Sequence, residues 1–385
     1  MLLISAFNSK DINNALWGYK GFYLGAFLVL VATLAIYVFK DLKIESKYYL
    51  PVIISITIIN LIAILHSFEI DVLKLHYNIL DVSYHKYLST IGNINWYAGF
   101  LSLVVPLFAC LYLLEDKYHC LYLIASYTSV MVVGLLGSDS IYLGLGSVSF
   151  FIIPTIFESK KTLKRFSSLL LVFDLALIIA RKLLYCMDGY SGELRRLAII
   201  IPLLMIAIVL LLFAHLIKED YYLKISKKLI IACEIILVSI LFIFIFLNIR
   251  KGDYSWTTGR IPLWQDSLKI FNNFKPFNKL LGIGLENLYL IYGPINERYQ
   301  AIYLSSHSEW IELLLTGGYL AFFSYLSIYL LILFTYFKSK NKRKLTPFGM
   351  SFIAYFGQSL VNSSTVTSVM LLTIILIVYL QNLNQ

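Results

Sequence analysis

From Ser305 to Gly318 the chain reads SSHSEWIELLLTGG, and the apolar residues that begin there continue to about residue 336. A run of that length spans ~30 Å of hydrocarbon, which needs about 20 residues. Similar runs recur along the chain. Hydrophobic residues make up 59% of it and charged residues 14%, against about 25% charged in soluble domains; mean hydropathy is +0.78. The reading is an all-α polytopic membrane protein. About eleven spans are expected: 21–39, 51–68, 95–114, 119–137, 140–157, 167–180, 197–217, 229–248, 310–336, 348–362 and 365–381. These form one membrane domain over residues 1–385. It carries a long loop over 249–309, and a shorter one over 69–94 with room for a short helix near DVLKLHYNIL.

Lysine and arginine in short loops orient such a chain, with the richer set in the cytoplasm. Alternate loops divide them 17 to 8, out of 32 in all. The richer set includes Lys160, Lys161, Lys164 and Arg165, and the run from Lys338 to Lys344. The long loop and the stretch at His307 therefore face outward, and the C-terminus is cytoplasmic. The N-terminus falls outside, so either a first span is missing ahead of it or MLLISAF is the remnant of that span. The charge of +10 is spread over many loops, which is membrane topology and not a nucleic-acid footprint. Cys110, Cys120 and Cys233 lie in or beside apolar runs, Cys186 stands in a loop, and no CxxC metal pattern occurs.

Ser306 and Glu309 are spaced as a capping box, in which serine accepts from an amide and glutamate reaches back. That accounts for both residues but not for His307. A histidine at a helix mouth can act as general base near neutral pH, and the helix N-terminus itself favours an anion. Arg260, in YSWTTGRIPLW, can snorkel to headgroups or grip a phosphate with its planar fork. Arg298 has the same chemistry, with Glu297 beside it. WQDSLKIFNNF, Trp264 to Phe274, has helical spacing, with Trp264, Leu268 and Phe271 on its apolar side. Gly282 and Gly284 in LGIGLEN read as a turn. Glu69 and Asp71 could share a divalent metal, and Asp174 is a costly carboxylate in an apolar run.

Together these stretches resemble the O-antigen ligase and O-antigen polymerase superfamily. YLSTIGNINWYAGFLSLVVPL, Tyr87 to Leu107, is similar to the family's G-N-x-N segment. TTGRIPLWQDSLKIF with LLGIGLENL resembles its G-R-x-x-x-W and G-x-G pattern, and SSHSEWIELLLTGGYLAF its H-N-x-Y/W-L pattern, with Ser308 in place of the asparagine. FGQSLVNSSTV fits more weakly, and SKDINNALWGYKGFYLG resembles the linker after the family's first span. The resemblance implies a GT-C-type bundle of about 11–12 transmembrane helices with a long outer loop over a cavity. It implies metal-independent transfer of an oligosaccharide from undecaprenyl diphosphate to a glycan or lipid acceptor, without a cofactor. Arg260 would bind the diphosphate, with Arg195, Arg196 and Arg298 as further candidates. His307 would activate the acceptor, and Ser306, Glu309, Asn93 and Asn95 would support the site. Two rival readings remain: a flippase for the same lipid-linked glycan, and a metal-dependent transferase using polyprenyl-phosphate sugars.

Overall fold

The computed structural model describes residues 2–42, 45–76, 87–188, 204–212, 216, 260–293 and 304–383. Its helices are α1 (Leu2–Phe7), α2 (Ile12–Trp17), α3 (Ala26–Phe39), α4 (Tyr49–His66), α5 (Ile94–Leu114), α6 (His119–Leu136), α7 (Asp139–Phe151), α8 (Ile153–Ile156) and α9 (Lys160–Asp188). After these come α10 (Arg260–Asn272), α11 (Pro276–Leu281), α12 (Glu309–Lys338), α13 (Lys342–Ser359) and α14 (Val366–Leu383). A two-residue hairpin, β1 (Tyr87–Leu88) with β2 (Gly92–Asn93), is the one sheet among the described residues. The chain is thus an all-α polytopic membrane protein. Among the described residues five helices, α4, α5, α6, α12 and α14, are long and apolar enough to cross a membrane. Each predicted span falls on a helix except 229–248, which lies outside the described residues, and 197–217, of which 204–212 is helical. Cys186 lies within α9 and not in a loop.

The chain divides into two compact units. One comprises Leu42–Ile230, Lys340–Tyr355 and Gln381–Gln385. Here α5 is buried along nearly its whole length, with Leu101, Leu103 and Val104 fully inaccessible. Lipid tails are as apolar as leucine, so helices in a bilayer gain from close packing and from internal hydrogen bonds. Both are present. A Cβ on Gly134 of α6 would stand 2.7 Å from the Ala180 Cβ of α9. Asn60 donates to Ser129 Oγ at 2.9 Å and accepts from the Tyr97 hydroxyl at 2.7 Å. At the C-terminal end of α5, Arg165 donates to the Glu115 carbonyl and Arg343 to that of Leu114. Cations belong at such an end, where unsatisfied carbonyls gather.

The other unit comprises Met1–Asp41, Ile231–Ser339 and Phe356–Leu380. It corrects the reading of 310–336 as one straight span. Sixteen residues of straight helix rise ~24 Å, yet the Tyr325 hydroxyl donates to Glu309 at 2.5 Å. The Trp310 ring also lies 5.7 Å from that of Tyr329. α12 is therefore folded back on itself. Gly318 is its non-helical residue (φ 67°, ψ −170°), and the limb over 319–338 is itself long enough to cross.

The bend releases carbonyls that a straight helix would pair, and backbone groups in lipid must find partners within the protein. Ile283 N–H donates to Leu315 O at 3.2 Å, Gly284 N–H to Thr316 O at 2.9 Å, and Ser5 Oγ to Thr316 O at 3.1 Å. This close approach explains Gly282 of LGIGLEN and Gly318 at the bend itself. A Cβ on Gly282 would meet the Thr316 carbonyl at 2.2 Å, and one on Gly318 would meet that of Leu280 at 2.5 Å. The expected turn is there, and it is the support of the bend.

Candidate active site

α10 packs through Leu263 and Phe271 on Leu288, Tyr292 and Leu315, which fixes it against the first limb of α12. Its buried side is Ile261, Leu263, Ser267 and Phe271, so Leu268 stands exposed, contrary to the predicted face. Trp264 remains half-buried, and its indole N–H donates to Ser306 O at 2.9 Å. One turn before it, Arg260 comes close enough to act electrostatically on His307. The two residues singled out as catalytic thus lie in one compact unit, within electrostatic range of each other.

His307 sits in a left-handed backbone conformation (φ 53°), which costs a non-glycine residue about 1–2 kcal/mol. The turn around it is heavily bonded. His307 N–H donates to Ser305 Oγ at 2.9 Å, and Ser305 Oγ donates to Glu312 Oε1 at 2.5 Å. Ser306 N–H reaches the same carboxylate oxygen at 2.9 Å, and Ser363 Oγ at 2.7 Å. Burial, and then the Arg260 guanidinium, push the His307 imidazole below its ordinary value.

The capping box is shifted from the expected register. Ser308 is the N-cap of α12, with its side chain toward Ile311 N. Ser306 instead donates to Ser308 O, and the Glu309 carboxylate turns to Tyr325. Glu312 is the residue that reaches back to the serine turn. The helix mouth is also a poorer anion site than expected, because Glu309 N–H is taken by Asn362 O at 2.9 Å and Ile311 N–H by Ser308.

The segment 359–365 straps the site: Ser363 joins the Glu312 cluster, and Ser359 Oγ accepts from the Trp310 indole at 2.9 Å. From the opposite end of the chain, Asn287 Nδ2 donates to Ser9 Oγ and to Asp11 O, and the Tyr289 hydroxyl donates to Asp11 Oδ2 at 2.7 Å. These contacts hold the loop carrying Glu286. Burial, with Glu312 nearby, raises the Glu286 carboxyl to about 8, against a smaller opposing hydrogen bond from the Tyr19 backbone.

Asn93 and Asn95 belong to the other unit. There Asn93 caps α5 through Asn95 N–H at 2.8 Å, and Asn95 Oδ1 accepts from Ser138 at 3.0 Å. Arg195, Arg196 and Arg298 lie outside the described residues. The expected helix near DVLKLHYNIL gives way to turns over its described part, 71–76. Asp71 closes them, its carboxylate accepting from Leu75 N–H at 2.9 Å and His76 N–H at 2.7 Å. Asp71 does not pair with Glu69, which is exposed. It gathers His66 Nε2 at 3.3 Å and His76 Nδ1 at 3.9 Å.

Glu312, Ser305, Ser363 and Glu286 escaped the sequence reading. The rule that drew attention to Asp174, a carboxylate within an apolar run, applies equally to Glu312 in EWIELLL.

Residues 175–326 match the family described as O-antigen ligase. The matched segment contains Arg260, Glu286, His307 and Glu312, and it bears out the resemblance to the O-antigen ligase and polymerase superfamily. No curated protein matches the chain.

Proposed function

We propose, from the O-antigen ligase match over residues 175–326 and the site within it, that the protein is a membrane glycosyltransferase. It transfers or polymerises an oligosaccharide carried on undecaprenyl diphosphate, at the outer face of the cytoplasmic membrane. The observation that carries this reading is a half-buried His307 at the mouth of α12, within electrostatic range of Arg260. A cation holds the diphosphate, and a base receives the proton.

The acceptor hydroxyl attacks the anomeric carbon of the donor sugar. A new carbon–oxygen bond forms, and the bond from that carbon to the diphosphate breaks. Undecaprenyl diphosphate leaves with the electron pair, and its developing charge is met by the guanidinium of Arg260. The hydroxyl proton passes to the imidazole of His307. Arg195, Arg196 and Arg298 are candidates for a second contact to the diphosphate.

We assign no metal to this reaction. Among the described residues, His66, Asp71 and His76 are the group whose ligand atoms converge. His66 Nδ1, however, accepts the Ser89 amide at 3.0 Å. The neutral ring then carries its proton on Nε2, toward Asp71. A histidine bound to metal through Nε2 needs its proton on the other nitrogen, donated outward. The arrangement suits a hydrogen-bonded clasp.

The test is glycan transfer in membranes of a knockout strain carrying wild type, His307→Ala or Arg260→Ala at matched, folded levels, with chelator present. Loss of about 10²-fold or more in both variants is expected. Wild-type transfer by both would sink the reading and return attention to a flippase.

A further inference from the structure

Glu312 does more than fill a helix turn. It is a carboxylate on the first limb of α12, and three donors converge on its Oε1: Ser305 Oγ, Ser306 N–H and Ser363 Oγ. The Ser305 hydroxyl is the link outward. It gives its proton to Glu312 and accepts the N–H of His307. His307 is one of the few non-glycine residues in the left-handed region, a conformation that persists only when its surroundings enforce it.

We propose that Glu312 is a positioning residue for His307: through Ser305 it holds the His307 backbone in its left-handed turn, and so holds the imidazole beside Arg260. Ser363 braces the same carboxylate from the segment after α13. The claim rests on the proposed function only for its catalytic consequence, since the positioning can be read without turnover.

The direct readout is the pH dependence of His307 carbethoxylation by diethyl pyrocarbonate, followed by peptide mass spectrometry on the full-length protein in detergent. Burial and the Arg260 guanidinium bear on that titration. In wild type the midpoint lies below 6.5, the ordinary value. In Glu312→Ala the turn relaxes, His307 leaves Arg260, and the midpoint rises toward 6.5. Glu312→Gln keeps an acceptor oxygen at the same place and keeps the wild-type midpoint. Ser305→Ala cuts the link while leaving Glu312 intact, so it raises the midpoint even if Glu312→Ala does not fold.

In transfer assays, Glu312→Ala and Ser305→Ala should lower kcat by about 10²-fold, the scale of a 1 Å misplacement, with donor KM little changed. Glu312→Gln should restore most of the rate. An unmoved midpoint in Ser305→Ala would overturn the positioning claim. So would a Glu312→Gln protein that behaves like Glu312→Ala, because the charge and not the acceptor would then be what matters. Wild-type transfer by His307→Ala would instead overturn the proposed function, while a raised midpoint in Ser305→Ala would still support the positioning.

Discussion

Two histidine sites in this protein differ in what stands next to the imidazole. His307 faces a cation, Arg260, and its backbone is tied down by a serine–glutamate chain. His66 and His76 face a carboxylate, with their rings 4.3 Å apart, and Asp71 is held by two backbone amides. Burial alone would raise the Asp71 carboxyl, but those amides and the two imidazoles outweigh it and hold the group below its ordinary value. A half-buried histidine near a cation is biased toward its neutral form. A histidine beside a carboxylate has its proton accounted for. Residue type alone does not distinguish a base from a clasp.

The largest expected effect would break or confirm that contrast outright. Arg260→Gln should lower transfer by about 10²–10³-fold, whereas His66→Ala should keep the wild-type rate per folded molecule. A dead but folded His66→Ala protein would erase the distinction. Next in size is the backbone beneath the His307 site. Gly318→Ala places a Cβ 2.5 Å from the Leu280 carbonyl at φ 67°. Gly21→Ala, at φ 100°, meets nothing within 4 Å and carries only the backbone strain, about 1 kcal/mol. Thermal unfolding in detergent should show Gly318→Ala as much the more destabilised, by about 3 kcal/mol or more.

Smaller again is Asp71→Asn, expected to cost about 1 kcal/mol through weakened amide and imidazole contacts. The Asp71 carboxyl is depressed in the folded chain, from an ordinary value of 3.8. Its contribution is therefore present above that pH and is lost as pH falls through the folded value. Glu286 runs the other way. It ionises near 8 in the folded chain and near 4.5 ordinarily, so stability falls as pH rises between those values. Glu286→Gln should flatten that slope and raise the melting temperature at pH 7.5. The smallest effect is the expected absence of one: chelator should leave the transfer rate unchanged, and a loss restored by a divalent ion would make the His66–Asp71–His76 group a metal site.

Much of this was legible in the chain itself. Apolar runs of about 20 residues placed the helices, because hydrocarbon admits no unpaired backbone and a helix pairs its own. Arg260 and His307 were singled out because the capping box left His307 unexplained and because both fall in the stretches that carry the family resemblance. FGQSLVNSSTV was noticed only as a weak likeness. Its role appeared when Asn362 and Ser363 were seen to bind Glu309 N–H and Glu312, about 50 residues earlier in the chain.

What the sequence determined by itself was the set of apolar helices and the two polar residues that such a chain can least afford to place idly. The tertiary structure decided that 310–336 is not one straight helix, that Ser308 and not Ser306 is the cap, and that Glu312 governs the turn at His307. The physical reason is common to all three. Hydropathy is additive along a chain and survives without coordinates, whereas a reversal at one glycine depends on which distant backbone groups, here those of Ile283 and Gly284, arrive to satisfy the carbonyls it exposes.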